Sequence, residues 1–141
     1  MKKIACLTTL LACLAGCSSQ KSPDFGGTLI DGPGTFDCFN RGLVVKVTEG
    51  SGDQLNYSVE NKHVGAASAK PALRKSAPWI ILPESPNRVW IFDGAQDVTL
   101  VELYTNGGVK FTSNQVVPEL LKQAPPALLE KLPADVAGRD V

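Results

Sequence analysis

The sequence predicts a mainly β fold, or an α+β fold if short helices are counted, arranged as a small sandwich or open barrel. Two observations favour this class. Apolar residues alternate with other residues in six short runs between 43 and 112, and turn-forming residues separate the runs. Two segments that begin with proline then follow, as is typical of short helices. We therefore expect an antiparallel hairpin, a four-strand meander and two short C-terminal helices.

The first hairpin spans residues 43–60, with turn chemistry at 49–53. Folding the chain about Ser51 pairs Val47 with Leu55, Val45 with Tyr57 and Leu43 with Val59. One face is then apolar and the other mostly polar, so we expect the polar face to be exposed to solvent.

The meander contains the runs 79–82, 88–92, 97–104 and 109–112. Asn106-Gly107 predicts a two-residue type I′ turn between the last two. Symmetric pairing about the turns places one apolar set on the core face, interrupted only by Glu102: Trp79, Ile81, Val89, Ile91, Val98, Leu100, Tyr104, Val109 and Phe111. The opposite face is half apolar, so we expect the helical segments at 118–123 and 126–132 to cover it.

The first sixteen residues have the pattern of a secretory signal. Lys2 and Lys3 precede an apolar run that is shorter than the roughly 20 residues a bilayer requires. The run ends in Leu14-Ala15-Gly16-Cys17, which resembles the lipobox of bacterial lipoproteins. The resemblance implies cleavage before Cys17, a diacylglycerol on its sulfur and an acylated amino group. Two or more acyl chains, at ~0.8 kcal/mol per buried CH₂, anchor a protein stably to a membrane.

We expect three parts of the chain: a cleaved signal peptide at 1–16, a lipidated Cys17 with a flexible tether at 17–40, and one globular domain at 41–141. The resemblance implies only the signal peptide and the lipidated Cys17; the tether is inferred from its content of Ser, Gly, Pro and Asp. The tether is expected to hold the domain off the bilayer. Ser18 stands where the resemblance associates Asp with retention in the inner membrane. We therefore expect an anchor in the outer membrane, facing the periplasm. The alternative is the outer leaflet of an inner or sole cytoplasmic membrane.

Charge and cysteine content exclude several functions. Of the 14 Lys and Arg residues, Lys2 and Lys3 belong to the signal, which leaves 12 against 14 Asp and Glu and gives no general attraction for nucleic acid. Cys6 and Cys13 leave with the signal and Cys17 is lipidated, so Cys38 is the one remaining thiol and no intrachain disulfide forms. With a single histidine, a zinc site lacks ligands, and we predict neither metal nor cofactor.

Two groups of residues are candidate contact sites. Residues 61–77 contain no acidic residue, and Lys62, Lys70, Arg74 and Lys75 predict a contact for anionic groups such as lipid phosphates or cell-wall carboxylates. The alternative is a solvated connection whose charges balance the acidic remainder. Trp79 and Trp90 fall on opposite faces of the meander, and an exposed one would mark a partner surface; the alternative is that both are buried.

The chain shows no catalytic constellation. Cys38 with the later His63-Val64-Gly65 is similar to the cell-wall cysteine peptidases, but Phe39-Asn40 stands where that family has Ser-Gly. We therefore predict no catalytic residues. The predicted function is a membrane-anchored, non-enzymatic binding or envelope-assembly accessory module with an envelope protein or cell-wall partner. The alternatives are an inhibitor of a periplasmic enzyme or a carrier of a small apolar ligand, and, more remotely, a Cys/His cell-wall hydrolase.

Overall fold

The structure, a computed structural model, describes residues 22–68 and 73–138. The predicted signal peptide, Cys17 and Lys70 lie outside the described residues. Within them the chain forms nine strands, then a 3₁₀-helix (Pro118–Gln123) and a one-turn helix α1 (Pro126–Leu129). The strands are β1 (Gly34–Cys38), β2 (Leu43–Glu49), β3 (Gln54–Asn61), β4 (Gly65–Ser68), β5 (Leu73–Arg74), β6 (Ile80–Ser85), β7 (Arg88–Phe92), β8 (Val98–Leu103) and β9 (Val109–Ser113). The predicted mainly β fold is confirmed.

The first sheet has the order β1-β2-β3-β4, and β5 also pairs with β3. Strands β2 and β3 form the predicted hairpin, but Val47 faces Tyr57 and Val45 faces Val59. The predicted register is therefore wrong by two residues. Because side chains alternate with a period of two, this shift leaves every side chain on its predicted face.

The second sheet is the predicted meander, β6-β7-β8-β9. Phe92 faces Val98, so the register between β7 and β8 differs from the predicted one by a single residue. Such a shift turns every side chain of β8 to the other face. Val101 and Leu103 therefore face the first sheet, whereas Val98 and Leu100 face the C-terminal segment.

The turn between β8 and β9 also differs from the prediction. A type I′ turn needs positive φ at both central residues. Here Gly107 has φ 83°, and Asn106 is not among the residues with positive φ. The Tyr104 carbonyl accepts the Gly107 N–H, and the Tyr104 N–H donates to Gly108, which gives a three-residue tip. Leu103 thus faces Val109, and this second one-residue shift returns β9 to its predicted face.

The two sheets enclose one apolar core, which we call the sandwich core. Ile30 belongs to it and pairs with Ile81 at the outer edge of β6, while Phe25, Phe36 and Phe39 pack against it. Since β1 and Ile30 are part of the fold, the globular domain begins well before residue 41, and the predicted boundary is wrong. Within the described residues the sheets form an open sandwich, without closure into a barrel.

The other face of the second sheet carries a separate core, which we call the helix-side core. Leu120, Leu128 and Leu132 of the C-terminal segment pack there against Trp90 and Phe92. The predicted cover by two short proline-initiated segments is therefore correct. The second sheet is buried on both faces, and this explains why both alternating sets of its side chains are apolar.

Candidate functional site

Both tryptophans are buried, so neither provides the predicted partner surface. Trp79 lies in the sandwich core and Trp90 in the helix-side core, on opposite faces as expected. The indole Nε1 of Trp90 donates a 2.6 Å hydrogen bond to Glu84 Oε2. The same oxygen lies 3.2 Å from Arg88 Nε. The hydrogen bond of the Trp90 indole therefore joins β7 to β6, and Trp90 has a structural role.

The predicted basic site is not a single patch. Lys62 follows the end of β3, whereas Arg74 pairs with Gln54 at the start of that strand. Eight residues of strand separate them by about 25 Å. Lys75 lies beside Arg74, and its Nζ is 3.3 Å from Glu49 Oε2. Lys62 and the Arg74-Lys75 pair therefore cannot contact one small anionic ligand together.

Asp53 explains the conformation of the chain after Arg74. Its carboxylate accepts hydrogen bonds from the Ser76 N–H at 2.9 Å and the Ser76 hydroxyl at 2.5 Å. The Lys75 N–H donates to the Asp53 carbonyl oxygen. The Ser76 hydroxyl is the largest of the influences that lower the pKa of the Asp53 carboxyl. These contacts fix the start of the connector between the two sheets, which we define as residues 75–79.

The thiol of Cys38 is poorly suited to nucleophilic chemistry. It is fully buried, and burial, followed by the nearby carboxylates of Asp24 and Asp37, raises its pKa to about 12. Its Sγ lies 3.6 Å from the Phe36 carbonyl oxygen. His63 follows β3, which is two strands away from Cys38, at about 10 Å. This placement gives no support to a Cys/His pair.

A cleft of about 500 Å³ lies beside β9. Phe111 borders the cleft from the opposite face of β9, where it lies beside Val101, and the apolar wall itself consists of Leu100, Val116, Val117 and Leu120. Leu120 belongs to the 3₁₀-helix, so the cleft lies where the C-terminal segment stops covering the sheet. Phe111 is 45% exposed, Val117 42% and Val116 81%. Large apolar side chains at this exposure form a surface suited to binding.

Strand β9 is the open edge of the second sheet. It pairs with β8 on one side, and no strand of the described chain pairs with its other side. The opposite edge of the sheet is covered, because Ile30 bridges to Ile81 and the Gly27 N–H donates to Pro83. An uncovered edge offers unpaired backbone N–H and C=O groups to another strand.

The floor of the cleft carries two opposite charges. Glu102 and Lys110 face each other across β8 and β9 and both line the cleft, and neither forms an ion pair with another described residue. At the far end, Asp97 accepts a 2.5 Å hydrogen bond from the Ser113 hydroxyl. The cleft therefore combines a long apolar wall with separate charges of both signs.

Sequence reasoning missed this cleft for identifiable reasons. Phe111 lies on its predicted face of β9, beside Val101, but is 45% exposed at the edge of the sheet, whereas Glu102, predicted on the core face, lies in the cleft. Tyr104, also expected in the core, is 44% exposed. Val116-Val117 was the available signal, since two apolar residues stand outside any predicted element just before Pro118.

Metal and membrane-spanning features are absent from the residues that the structure describes. No group of three or more His, Cys, Asp and Glu side chains is placed there to hold a metal ion. None of the helices in residues 22–68 and 73–138 has the length and apolar character needed to cross a bilayer.

No family model, curated protein or solved structure matches the chain. The cleft beside β9 is therefore the feature of the described residues from which a function can be inferred.

Proposed function

We propose that this chain is a small lipoprotein that acts as a non-enzymatic binding module of the bacterial cell envelope. Lipidation of Cys17 anchors it to the outer membrane, facing the periplasm. The cleft beside β9 binds an extended segment of an envelope partner protein. The observation that carries the proposal is the uncovered edge of β9 beside exposed Phe111, Val116 and Val117.

The geometry favours an extended peptide as the occupant. A strand added to a free sheet edge gains main-chain hydrogen bonds, and alternate side chains enter neighbouring pockets. Here the apolar wall runs alongside the edge, so apolar residues at every second position of the partner would be buried on it. Glu102 and Lys110 then select for a segment with opposite charges at matching positions.

A carrier of a small apolar ligand is the alternative that an observation also favours. A cleft of about 500 Å³ falls within the ~300–1,000 Å³ range of small-molecule sites. Such sites bury most of the ligand surface, whereas this cleft lies at an open sheet edge. Fifteen buried side chains form the sandwich core. Protein binding is therefore the better use of the surface.

Crosslinking in intact cells tests the proposal. A photo-crosslinking residue replaces Lys110, in the cleft, or Lys46, which is exposed on β2 and serves as the matched control. We expect position 110 to capture one envelope protein through one short peptide, and position 46 to capture none. Val116→Asp should reduce the capture at least fivefold without unfolding the domain, because Val116 is 81% exposed.

A synthetic peptide of the captured sequence gives the second readout. It should slow amide hydrogen exchange in Val109–Ser113, and Val116→Asp should abolish the protection. Equal capture from positions 46 and 110 would overturn the peptide-binding proposal. Saturable binding of an apolar fluorescent probe, lost in Val116→Asp, without protein capture would establish the carrier function instead.

Alkylation tests the remaining Cys/His alternative. Because the pKa of Cys38 is raised to about 12 and the thiol is buried, iodoacetamide should not label it in the folded protein at pH 8. Labelling should appear in urea. Rapid labelling of the folded chain would restore Cys38 as a candidate nucleophile.

A further inference from the structure

We infer that the protein stands on the membrane on one defined end of the sandwich, with Lys62 and Tyr104 against anionic lipid headgroups. This inference rests on the proposed lipidation of Cys17. The end in question, the anchor end, consists of four turns: residues 39–42, 62–64, 86–87 and 104–108. Direct contacts place them together, because Asn61 Nδ2 donates to Pro86 at 2.6 Å and the Leu103 N–H donates to Asn87.

Asp24 fixes the start of the described chain at this end. Its carboxylate accepts the N–H groups of Gly26 at 2.9 Å, Phe39 at 2.7 Å and Asn40 at 2.8 Å. Phe39, Asn40 and Arg41 have φ of 54°, 54° and 65°, an unusual run of three left-handed residues without glycine. The carboxylate stabilises this turn by accepting two of its N–H groups, and the turn in return fixes Asp24.

The length of chain between the lipid and the fold decides the orientation. Five residue steps separate Cys17 from Ser22, and even a fully extended chain covers at most about 18 Å in five steps. The opposite end of the sandwich, with the turn at 50–53, lies at least one strand length away; β2 alone has seven residues and spans about 23 Å. The link is therefore too short for the domain to stand on its opposite end with the anchor end raised from the bilayer. Phe25, Ile30 and β1, which fall within the predicted tether at 17–40, belong to the fold.

Lys62 is the group of the anchor end that can attract an anionic lipid surface, because Asp37 offsets the charge of Arg41. Lys62 is exposed and forms no ion pair with a described residue, and Arg41 is exposed beside Asp37 at 3.4 Å. Lysine near a membrane is attracted to anionic headgroups. Tyr104 is 44% exposed in the turn at 104–108, and tyrosine favours the boundary between apolar and aqueous phases.

This orientation directs the cleft away from the membrane. Strand β9 begins at the anchor end with Val109 and ends at the opposite end with Ser113, and Val116 and Val117 follow it. The most exposed apolar residues of the cleft would thus face the aqueous compartment, where a partner protein can reach them.

Headgroup quenching tests the inference on the full lipidated chain. The lipidated chain is added to vesicles of phosphatidylethanolamine and phosphatidylglycerol that contain a nitroxide-headgroup lipid. Fluorophores are attached at Thr105→Cys, on the anchor end, or at Ser51→Cys, on the opposite end; both positions are exposed. We expect at least threefold stronger quenching at position 105. Equal quenching at both positions, or stronger quenching at 51, would overturn the inference.

Mass spectrometry and vesicle flotation separate this outcome from a failure of the proposed anchor. An intact chain that carries no acyl groups and does not float would overturn lipidation and, with it, the orientation. A lipidated, floating chain with equal quenching would overturn the orientation alone.

A charge reversal tests the headgroup contact. The ratio of quenching at position 105 to quenching at position 51 measures the orientation. Lys62→Glu should reduce this ratio about twofold in vesicles containing phosphatidylglycerol and leave it unchanged in phosphatidylcholine vesicles. Arg74→Glu is the matched control, because Arg74 is an exposed cation at the opposite end. This variant should leave the quenching ratio unchanged in both kinds of vesicle. An unchanged ratio for Lys62→Glu in the anionic vesicles would overturn the lysine contact.

Discussion

The β2-β3 and β7-β8 hairpins have similar sequence patterns but respond differently to the same kind of prediction. In each, alternating apolar residues flank a short polar turn. The predicted register is two residues from the observed one in β2-β3 and one residue from it in β7-β8. The first difference moves no side chain across the sheet, whereas the second reverses the whole of β8. Whether a register error is an odd or an even number of residues therefore matters more than its size, because only an odd error moves side chains to the other face.

The two loops are fixed by different contacts. In the β2-β3 loop, Gly50 and Gln54 close the turn through the hydrogen bond from the Gly50 N–H. In the β7-β8 loop, Asp93 Oδ1 accepts the N–H groups of Ala95, Gln96 and Asp97 at 2.8, 3.0 and 3.0 Å. A side chain that accepts three N–H groups adds a residue to the loop that strand periodicity does not indicate.

Alanine at the two loop glycines should show the largest difference between the hairpins. Gly94 has φ 87°, and an added Cβ would lie 2.9 Å from the backbone N of Pro78 and of Trp79. Gly52 has φ 61°, with nothing within 4 Å. The left-handed conformation costs roughly 1 kcal/mol in each case, and overpacking adds roughly 1–3 kcal/mol at Gly94. We expect Gly94→Ala to lower the free energy of unfolding by about 3 kcal/mol and Gly52→Ala by about 1 kcal/mol.

Urea unfolding followed by the fluorescence of Trp79 and Trp90 measures both values. Equal losses at the two glycines would show that the β7-β8 loop is not held against residues 77–79.

The same comparison shows what could be predicted from the sequence. Strand positions were predictable to within a few residues because alternation is a local property. The face of β3 was predictable because Asn56 is polar and Tyr57 apolar. In β8 each alternating set contains two apolar residues and one polar residue, since both faces of the sheet are largely buried, and no contrast sets the register. The cleft depends on which edge the C-terminal segment leaves open, which is a tertiary property that no local pattern contains.

Removal of the Asp93 carboxylate should have an intermediate effect. Asp93→Ala leaves three backbone N–H groups without their acceptor, although water can replace it in part, so we expect a loss of about 1–2 kcal/mol. Asp93→Asn keeps an oxygen at the same position and should lose less than half as much. Unfolding in urea provides both values, and a loss as large in Asn as in Ala would contradict the proposed role of Oδ1.

Glu102 tests the orientation of β8 itself. In the observed register its side chain lines the cleft and is partly exposed. Glu102→Leu should therefore change the free energy of unfolding by no more than about 0.5 kcal/mol. In the symmetric register Glu102 would lie between the sheets, and leucine there would raise stability by well over 1 kcal/mol through burial of its side chain. An increase of that size would show that the sequence-based register was right.

The smallest expected effect is the pH dependence of the contact between the β2-β3 loop and the connector. The Ser76 hydroxyl lowers the pKa of Asp53 in the folded chain. The carboxylate thus contributes stability above the unfolded pKa of about 3.9, and the contribution is lost as the pH falls through the lower folded value. Ser76→Ala should therefore reduce stability at pH 7 and flatten its decline below pH 4, as measured by urea unfolding from pH 7 to pH 2. Ser51→Ala, in the same loop, should leave the profile unchanged because Ser51 contributes only its backbone carbonyl to a hydrogen bond, accepting the Gln54 N–H. Identical profiles for Ser76→Ala and the unmodified chain would contradict the contribution of this hydrogen bond to stability.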